Sequence, residues 1–354
     1  MNKIIQLAGR PGSRTPGDKT GRPIRRLAIV TPVLDDWPAF ALLVTQIVRN
    51  AAPGVEWLEI VAVDDGSVET FDPGELMLPP GACVDVIRVI HLALNLGSQR
   101  AIAVGLVSLA AREDLDCIVV MDSDGEDRAE EIPLLLEASR ISADHVVLAH
   151  RAKRFESPMF KIGYWAYKFF FRVLTGHGIS FGNFSVLPMA AVRRLVHMPE
   201  LWNNLPAAII RSRLHFTRVH TIRGTRHAGQ SKMNFPGLVI HGLSAMSVYT
   251  DLIFVRVLLA AASISALSFV AICAVLAVRL GTDLAIPGWA TTVFGDLLII
   301  LFQAVLMIVA TSLMVLAGRS ARPIVPVTDA PVYIQTVSDV ISRENVSLYG
   351  VIRE

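Results

Sequence analysis

The chain has 354 residues, of which 53% are hydrophobic and 18% charged, with a mean hydropathy of +0.50 and a formal net charge of +2. It is too apolar for an ordinary soluble enzyme and too charged for a wholly embedded one, so a soluble domain of roughly 200 residues joined to membrane helices is expected. The near-neutral balance excludes bulk electrostatic attraction to nucleic acid. Cys83, Cys117 and Cys273 have no CxxC spacing and read as small buried hydrophobes in a reducing compartment. The histidines show neither HxxxH nor HExxH pairing, which argues against zinc.

Residues 1–23 are rich in Gly, Pro, Arg and Lys and lack an apolar stretch, which reads as a flexible basic tail rather than a signal peptide. From Arg26 short β-rich runs alternate with helix-length segments. The runs are Leu27–Thr31, Leu58–Val63, Val86–Ile90, Cys117–Met121 and His145–Ala149, with helices expected near 38–50, 98–112 and 129–141. This rhythm predicts an α/β fold with a mostly parallel, Rossmann-like sheet over residues 24–232.

In such sheets ligands bind beyond the carboxyl ends of the strands. Those ends carry Thr31-Pro32-Val33-Leu34-Asp35-Asp36, Asp64-Asp65-Gly66-Ser67, Asn95-Leu96-Gly97 and Asp122-Ser123-Asp124-Gly125-Glu126-Asp127. Two carboxylates one residue apart at a strand tip form an anionic notch suited to a hard cation such as Mg²⁺ or Mn²⁺. A lone DxD is more often a turn or a cap, but four polar strand ends in this order are a stronger signal.

These motifs, with Glu130-Glu131-Ile132 and the segment Arg226-His227-Ala228-Gly229-Gln230-Ser231-Lys232, resemble the family 2 glycosyltransferases of GT-A fold. More narrowly, they resemble the polyprenyl-phosphate glycosyltransferases, a group that includes dolichyl-phosphate mannose synthase. The resemblance covers about residues 26–320. It implies that Pro32, Asp36, Asp64, Asp65 and Asp122 hold a donor UDP- or GDP-sugar, with carboxylates accepting from base N–H or ribose hydroxyls. It also implies that Asp122 and Asp124 surround Mg²⁺ or Mn²⁺ on the donor diphosphate. Glu126, where family members commonly carry Gln, is either a third metal ligand or a solvated residue before the next helix. Arg151, Lys153, Arg154, Arg226, Ser231 and Lys232 are phosphate-binding candidates, each with surface charge or polarity as the alternative, and Gly229 would allow close approach to phosphate.

Asp36 stands where the family usually has Glu. Asn183 and Ser185 stand where it usually has Asp and Arg, the Asp being its proposed base. Asn183 cannot take a proton at neutral pH. A hydroxyl acceptor would lose general-base help of about 10²- to 10⁴-fold, whereas a phosphate monoester is largely dianionic at pH 7 and is already a nucleophile. Asn183 and Arg151 complete the candidate catalytic set with Asp122 and Asp124.

Residues 155–176 are dense in aromatics, with Lys161, Trp165, Lys168 and Arg172 on one helical side. Such a helix either lies at the headgroup level or packs on the sheet. Residues 233–256 read as an interfacial amphipathic helix, and 257–318 as a transmembrane hairpin with spans 257–278 and 297–317, each long enough for a hydrocarbon core of roughly 30 Å. Arg256, Arg319 and Arg322 outweigh Arg279, which predicts cytoplasmic hairpin ends, catalytic domain and termini in a bacterial inner membrane. Residues 319–354 form a cytoplasmic segment, expected to hold a strand and then a short amphipathic helix, and this tail is expected to dock on a neighbouring subunit. The resemblance implies tetramers.

The expectation is therefore an inverting, metal-dependent hexosyltransferase acting on an undecaprenyl-type polyprenyl phosphate. Two alternatives stand beside it: the same fold with a lipid or glycan hydroxyl acceptor, and a catalytically silent membrane-anchored nucleotide-sugar binder.

Overall fold

The computed structural model describes residues 23–50, 54–79, 84–142, 144–151, 169–176, 182–227, 242–282, 288–320 and 322–342, with Arg151 and Arg319 by backbone only. The basic tail, Cys83, Lys153, Arg154, Gly229, Ser231, Lys232, most of the aromatic stretch 155–176, residues 233–241 and the end of the chain lie outside the described residues.

Eight strands form one sheet in the order β7-β5-β6-β4-β1-β2-β3-β8. They are β1 (Arg26–Val33), β2 (Trp57–Asp64), β3 (Val86–Leu92), β4 (Cys117–Val120), β5 (Val146–Arg151), β6 (Ser185–Pro188), β7 (Phe216–Thr221) and β8 (Ile334–Ser342). Strands β1 to β4 run parallel, as do β5 and β7, while β6 and β8 pair antiparallel with their neighbours. The expected mostly parallel α/β sheet is thus observed. Strands β1 and β2 are buried along almost their whole length, as β-branched central strands covered on both faces must be.

Helices α1 (Trp37–Arg49) and α3 (Ile132–Ile141) cover one face, with Ile29, Ile60 and Val119 in a shared core. Helix α2 (Ser98–Ala110), α4 (Met189–Leu195) and α5 (Leu205–Arg211) cover the other, over Val30, Val63 and Ile118. Burying each such aliphatic side chain stabilises the fold by about 1.5–3 kcal/mol. Gly105 brings α2 close to the sheet, because a Cβ there would meet Val30 Cγ1 at 2.5 Å.

Two helices of 32 residues follow, α6 (Thr250–Gly281) and α7 (Trp289–Ser320), with mean hydropathies of 2.4 and 2.6 over their most apolar windows. Each is about 48 Å long, more than the hydrocarbon thickness requires. Both are compatible with membrane spans. Helix α6 starts earlier than expected: residues 250–256 belong to it, and the turn that separates it from the helical residues 242–247 falls at Val248 and Tyr249. Arg256 does not mark a helix end. Its guanidinium donates to the carbonyl of Val173 and so fastens α6 to the helical residues 169–175. In that segment Phe171 is buried with Ala207, Ala245, Val248 and Tyr249, so this end of the aromatic stretch packs on the domain.

Two further expectations need correction. Cys117 is buried, and burial pushes its thiol well above the usual range, but Cys273 lies on an exposed face of α6. The strand expected in the C-terminal segment takes in Val337, Val340 and Ile341 as well: β8 pairs with β3 of its own sheet, from Val86↔Ser342 to Leu92↔Ile334. The short helical turns, Pro326–Asp329 and Ala330–Tyr333, precede that strand. The physical reason is that β3 would otherwise present a row of unpaired backbone groups at the edge of the sheet.

Candidate active site

The turn after β4 is braced by its own carboxylates. Asp127 is buried and accepts the N–H of Asp122 (2.9 Å), and Asp124 Oδ1 accepts the N–H of Glu126 (3.0 Å). Gly125 has φ +85°, and a Cβ there would lie 2.1 Å from the ring of His227, so only glycine allows the two segments to meet. Asp122 and Asp124 remain half-buried at the mouth. The Asp124 carboxyl is pushed above its ordinary range, first by burial and then by the charge of Asp122.

Residues 222–227 are laid along this turn. The N–H of Ile222 donates to Glu131 Oε1 (2.8 Å), that of Gly224 to the Glu126 carbonyl (2.9 Å), and that of His227 to the Asp124 carbonyl (2.9 Å). Two arginines of the segment then meet the carboxylates. Arg226 donates to Asp124 Oδ2 (3.1 Å) and to Asp36 Oδ2, and Arg223 pairs with Glu126.

Glu126, the expected third metal ligand, is engaged by Arg223, and its charge adds to that of Asp122 in raising the Asp124 carboxyl. Among the described residues no three His, Cys, Asp or Glu side chains form a metal-holding group. The fit to a divalent cation rests instead on two carboxylates, adjacent hard oxygen donors whose mutual repulsion and burial favour a compensating positive charge.

The pair after β2 behaves differently. Asp65 accepts the N–H groups of Leu96 (2.7 Å) and Gly97 (2.9 Å), and Asp64 accepts the N–H of Ser67 (2.8 Å) and binds His91 Nδ1 at 2.8 Å. Both are buried, 6% and 3% exposed, with their oxygens turned to the protein, so they brace the turns after β2 and β3. Gly66 completes the turn at φ +78° against the Asn95 backbone. Across from it Asp35, at φ +43°, donates its N–H to Ser67 Oγ (2.8 Å) and accepts that of Val68 (2.6 Å). Pro32 is buried inside β1, and the ladder to β4 stops at Val30↔Val120, before the residue that has no N–H to continue it.

Asn183 is buried in a directional chain. The N–H of Leu205 donates to Gln99 Oε1 (2.9 Å), Gln99 Nε2 to Asn183 Oδ1 (2.9 Å), and Asn183 Nδ2 to Asp122 Oδ1 (3.0 Å). An amide suits this place, because it accepts from Gln99 and donates to Asp122 at once, whereas an ionised carboxylate could do only the first. The carboxylate it touches is thus Asp122 itself. Ser185 is fully buried and its hydroxyl donates to the Asn183 carbonyl (2.8 Å).

The structure thus brings Asp36, Asp122, Asp124, Asn183 and Arg226 together and sets Asp64, Asp65 and Pro32 behind them. Arg151 ends β5, and the phosphate candidates Arg154, Ser231 and Lys232 lie outside the described residues. Sequence reasoning missed Arg223, Gln99 and His91, which sit in no motif. It also gave no role to His227, whose Nε2 is buried over Gly125 without a hydrogen-bond partner among the described residues.

No family model matches the chain. It is similar to the undecaprenyl-phosphate 4-deoxy-4-formamido-L-arabinose transferase of Serratia proteamaculans, 25% identical over 230 residues, or 61% of this chain and 65% of that protein. The chain therefore spans less than two thirds of that relative's length. It is also similar to the bactoprenol glucosyl transferase of Shigella phage SfV, 27% identical over 249 residues, covering 68% of this chain and 78% of the relative. Among solved structures it is similar to glucosyl-3-phosphoglycerate synthase of Mycobacterium tuberculosis, determined with Mn²⁺, UDP-glucose and phosphoglyceric acid. That likeness is 14% in identity with a TM-score of 0.45, over 65% of this chain and 80% of the other.

Proposed function

We propose, from the resemblance of the chain to the family 2 polyprenyl-phosphate glycosyltransferases, that it is a membrane-bound inverting transferase carrying a sugar from a UDP- or GDP-sugar to a polyprenyl phosphate of the undecaprenyl type. The observation that supports this most is the meeting of distant motifs on one guanidinium. Arg226 reaches Asp124, 102 residues away, and Asp36, 190 residues away, at the carboxyl ends of the central strands. Asp122 and Asp124 would hold Mg²⁺ or Mn²⁺. The chemistry such an ion supplies when bound is Lewis-acid neutralisation of the departing nucleoside diphosphate.

The residues of the chain divide the remaining work. Asp36 and the loops braced by Asp64 and Asp65 would form the nucleoside cradle, and Arg226 the phosphate subsite, for which the resemblance also implies Arg151, Arg154, Ser231 and Lys232. An oxygen of the lipid phosphate attacks the anomeric carbon as the bond from that carbon to the donor phosphate oxygen breaks, and the electron pair leaves with the diphosphate. No proton has to be removed from a dianionic acceptor. Asn183, spent on Gln99 and Asp122, accords with that chemistry. Helices α6 and α7 would anchor the domain where the lipid phosphate lies, on the cytoplasmic face.

The acceptor class is tested by offering undecaprenyl phosphate and undecaprenol side by side with each nucleotide sugar. Labelling of the phosphate alone is expected, and labelling of the alcohol at a comparable rate would contradict the reading.

A further inference from the structure

Strand β8 reaches the sheet only after the chain has passed through α6 and α7, and it is fastened there by more than its ladder. Arg88 on β3 grips Asp339 through two bonds (2.6 and 3.1 Å), and its remaining nitrogen meets the buried Glu59 on β2 at 3.1 Å. The Tyr333 carbonyl accepts the N–H of Ala93 (2.9 Å) just before β8 begins, and the Tyr333 ring lies against Trp202 at 5.4 Å. These contacts hold β8 in one register along β3.

At that register Ser338 comes to the outer side of His91. The imidazole lies between two groups, with Nδ1 2.8 Å from Asp64 Oδ2 and Nε2 3.3 Å from Ser338 Oγ. A neutral ring protonated at Nδ1 satisfies both, donating to the carboxylate and accepting from the hydroxyl. Asp64 uses its other oxygen on the N–H of Ser67, which in turn holds the backbone of Asp35 beside Asp36. A continuous chain of hydrogen bonds therefore runs from the strand after the membrane helices, through His91 and Asp64, to the loop that carries Asp36.

We propose that β8 is a working part of the donor site and that His91 is a positioning residue for nucleotide binding, holding Asp64 so that the turns after β1 and β2 are organised before the donor arrives. The inference rests on the donor-site reading given above. It goes beyond that reading by assigning the post-membrane strand a part in nucleotide affinity rather than in anchoring alone. Its effect falls on donor binding and not on the acceptor, because the chain of bonds ends at the cradle.

The test uses the full chain in detergent and titrates UDP and, separately, GDP in the presence of Mn²⁺. Replacing His91→Ala is expected to weaken the affinity of the nucleotide that binds wild type by about tenfold, the magnitude of one hydrogen bond to a charged group. His91→Asn, whose amide can replace Nδ1, is expected to return to within about threefold of wild type, and Ser338→Ala to lose about threefold. In turnover the same variants raise KM for the donor while kcat and KM for the lipid stay near wild type. Unchanged nucleotide affinity in His91→Ala, or an Asn variant no better than Ala, overturns the inference alone. Should His91→Ala fail to fold, Ser338→Ala decides, and wild-type affinity in it overturns the inference. If wild type binds neither UDP nor GDP, the donor-site reading falls and the inference with it.

Discussion

The two acidic pairs at the carboxyl ends of β2 and β4 have the same chemistry and opposite employment. Asp64 and Asp65 are buried and spend their oxygens on Ser67, His91, Leu96 and Gly97, all within the protein. Asp122 and Asp124 stand half-buried at the mouth and face the amide of Asn183 and the guanidinium of Arg226. The difference lies in the neighbours. The loop after β3 folds back over Asp65 and supplies backbone donors, whereas the turn after β4 is met by side chains carried on a distant segment. Asp65 has both oxygens on backbone N–H groups and Asp64 shares its own between a backbone N–H and His91, whereas Asp122 and Asp124 each place an oxygen against a side chain brought from a distant part of the chain.

The comparison breaks most visibly at Asp124. Asp124→Asn is expected to lower turnover by about 100-fold or more, the scale at which removal of a transition-state charge stabiliser is felt, with the thermal midpoint within a few degrees of wild type. Activity near wild type would take Asp124 out of the site. Asp65→Ala is expected to act instead on stability, by about 2 kcal/mol in denaturant unfolding, because two backbone donors lose their acceptor. A variant as stable as wild type but inactive would instead give Asp65 a direct role in the donor site.

Asn183→Asp should change turnover by less than about tenfold with a lipid-phosphate acceptor, since general-base help is not required. A gain far beyond that would point to a hydroxyl nucleophile lacking its base. The smallest effect expected is in pH. Burial raises the Asp65 carboxyl above its ordinary 3.8, so the folded state binds its proton more tightly than the unfolded state does. The associated stabilisation is complete below 3.8 and is lost as pH rises through the raised folded value. The stability of wild type relative to Asp65→Asn should therefore fall across that window, and a constant or growing difference would contradict it.

Much of this arrangement is legible in the residues themselves, for reasons that are local. β-Branched runs ended by Asp-Asp-Gly-Ser or Asp-Ser-Asp-Gly announce strand and turn within one stretch, and apolar runs without charge announce α6 and α7. What escapes is partnership. Arg223 lies in no motif, yet it takes Glu126, and His91 reads as an ordinary strand residue until β8 lies beside it. The edge position of β8 is hidden because most of its side chains are exposed, leaving no alternation to show which face is covered. Arg256 suggests a helix end by its charge, but a long side chain can leave an apolar helix to reach a carbonyl, as it does at Val173.

The central claim, sugar transfer to a lipid phosphate through the Asp122–Asp124 notch, is tested most directly by one assay. Radiolabelled UDP- and GDP-sugars are offered with undecaprenyl phosphate and Mg²⁺ or Mn²⁺ to wild type and to Asp124→Asn, and label is counted in the lipid phase. The account predicts lipid-phase label with one donor, lost on adding EDTA and nearly absent in the variant. Lipid-phase label that persists in EDTA and in Asp124→Asn would contradict it.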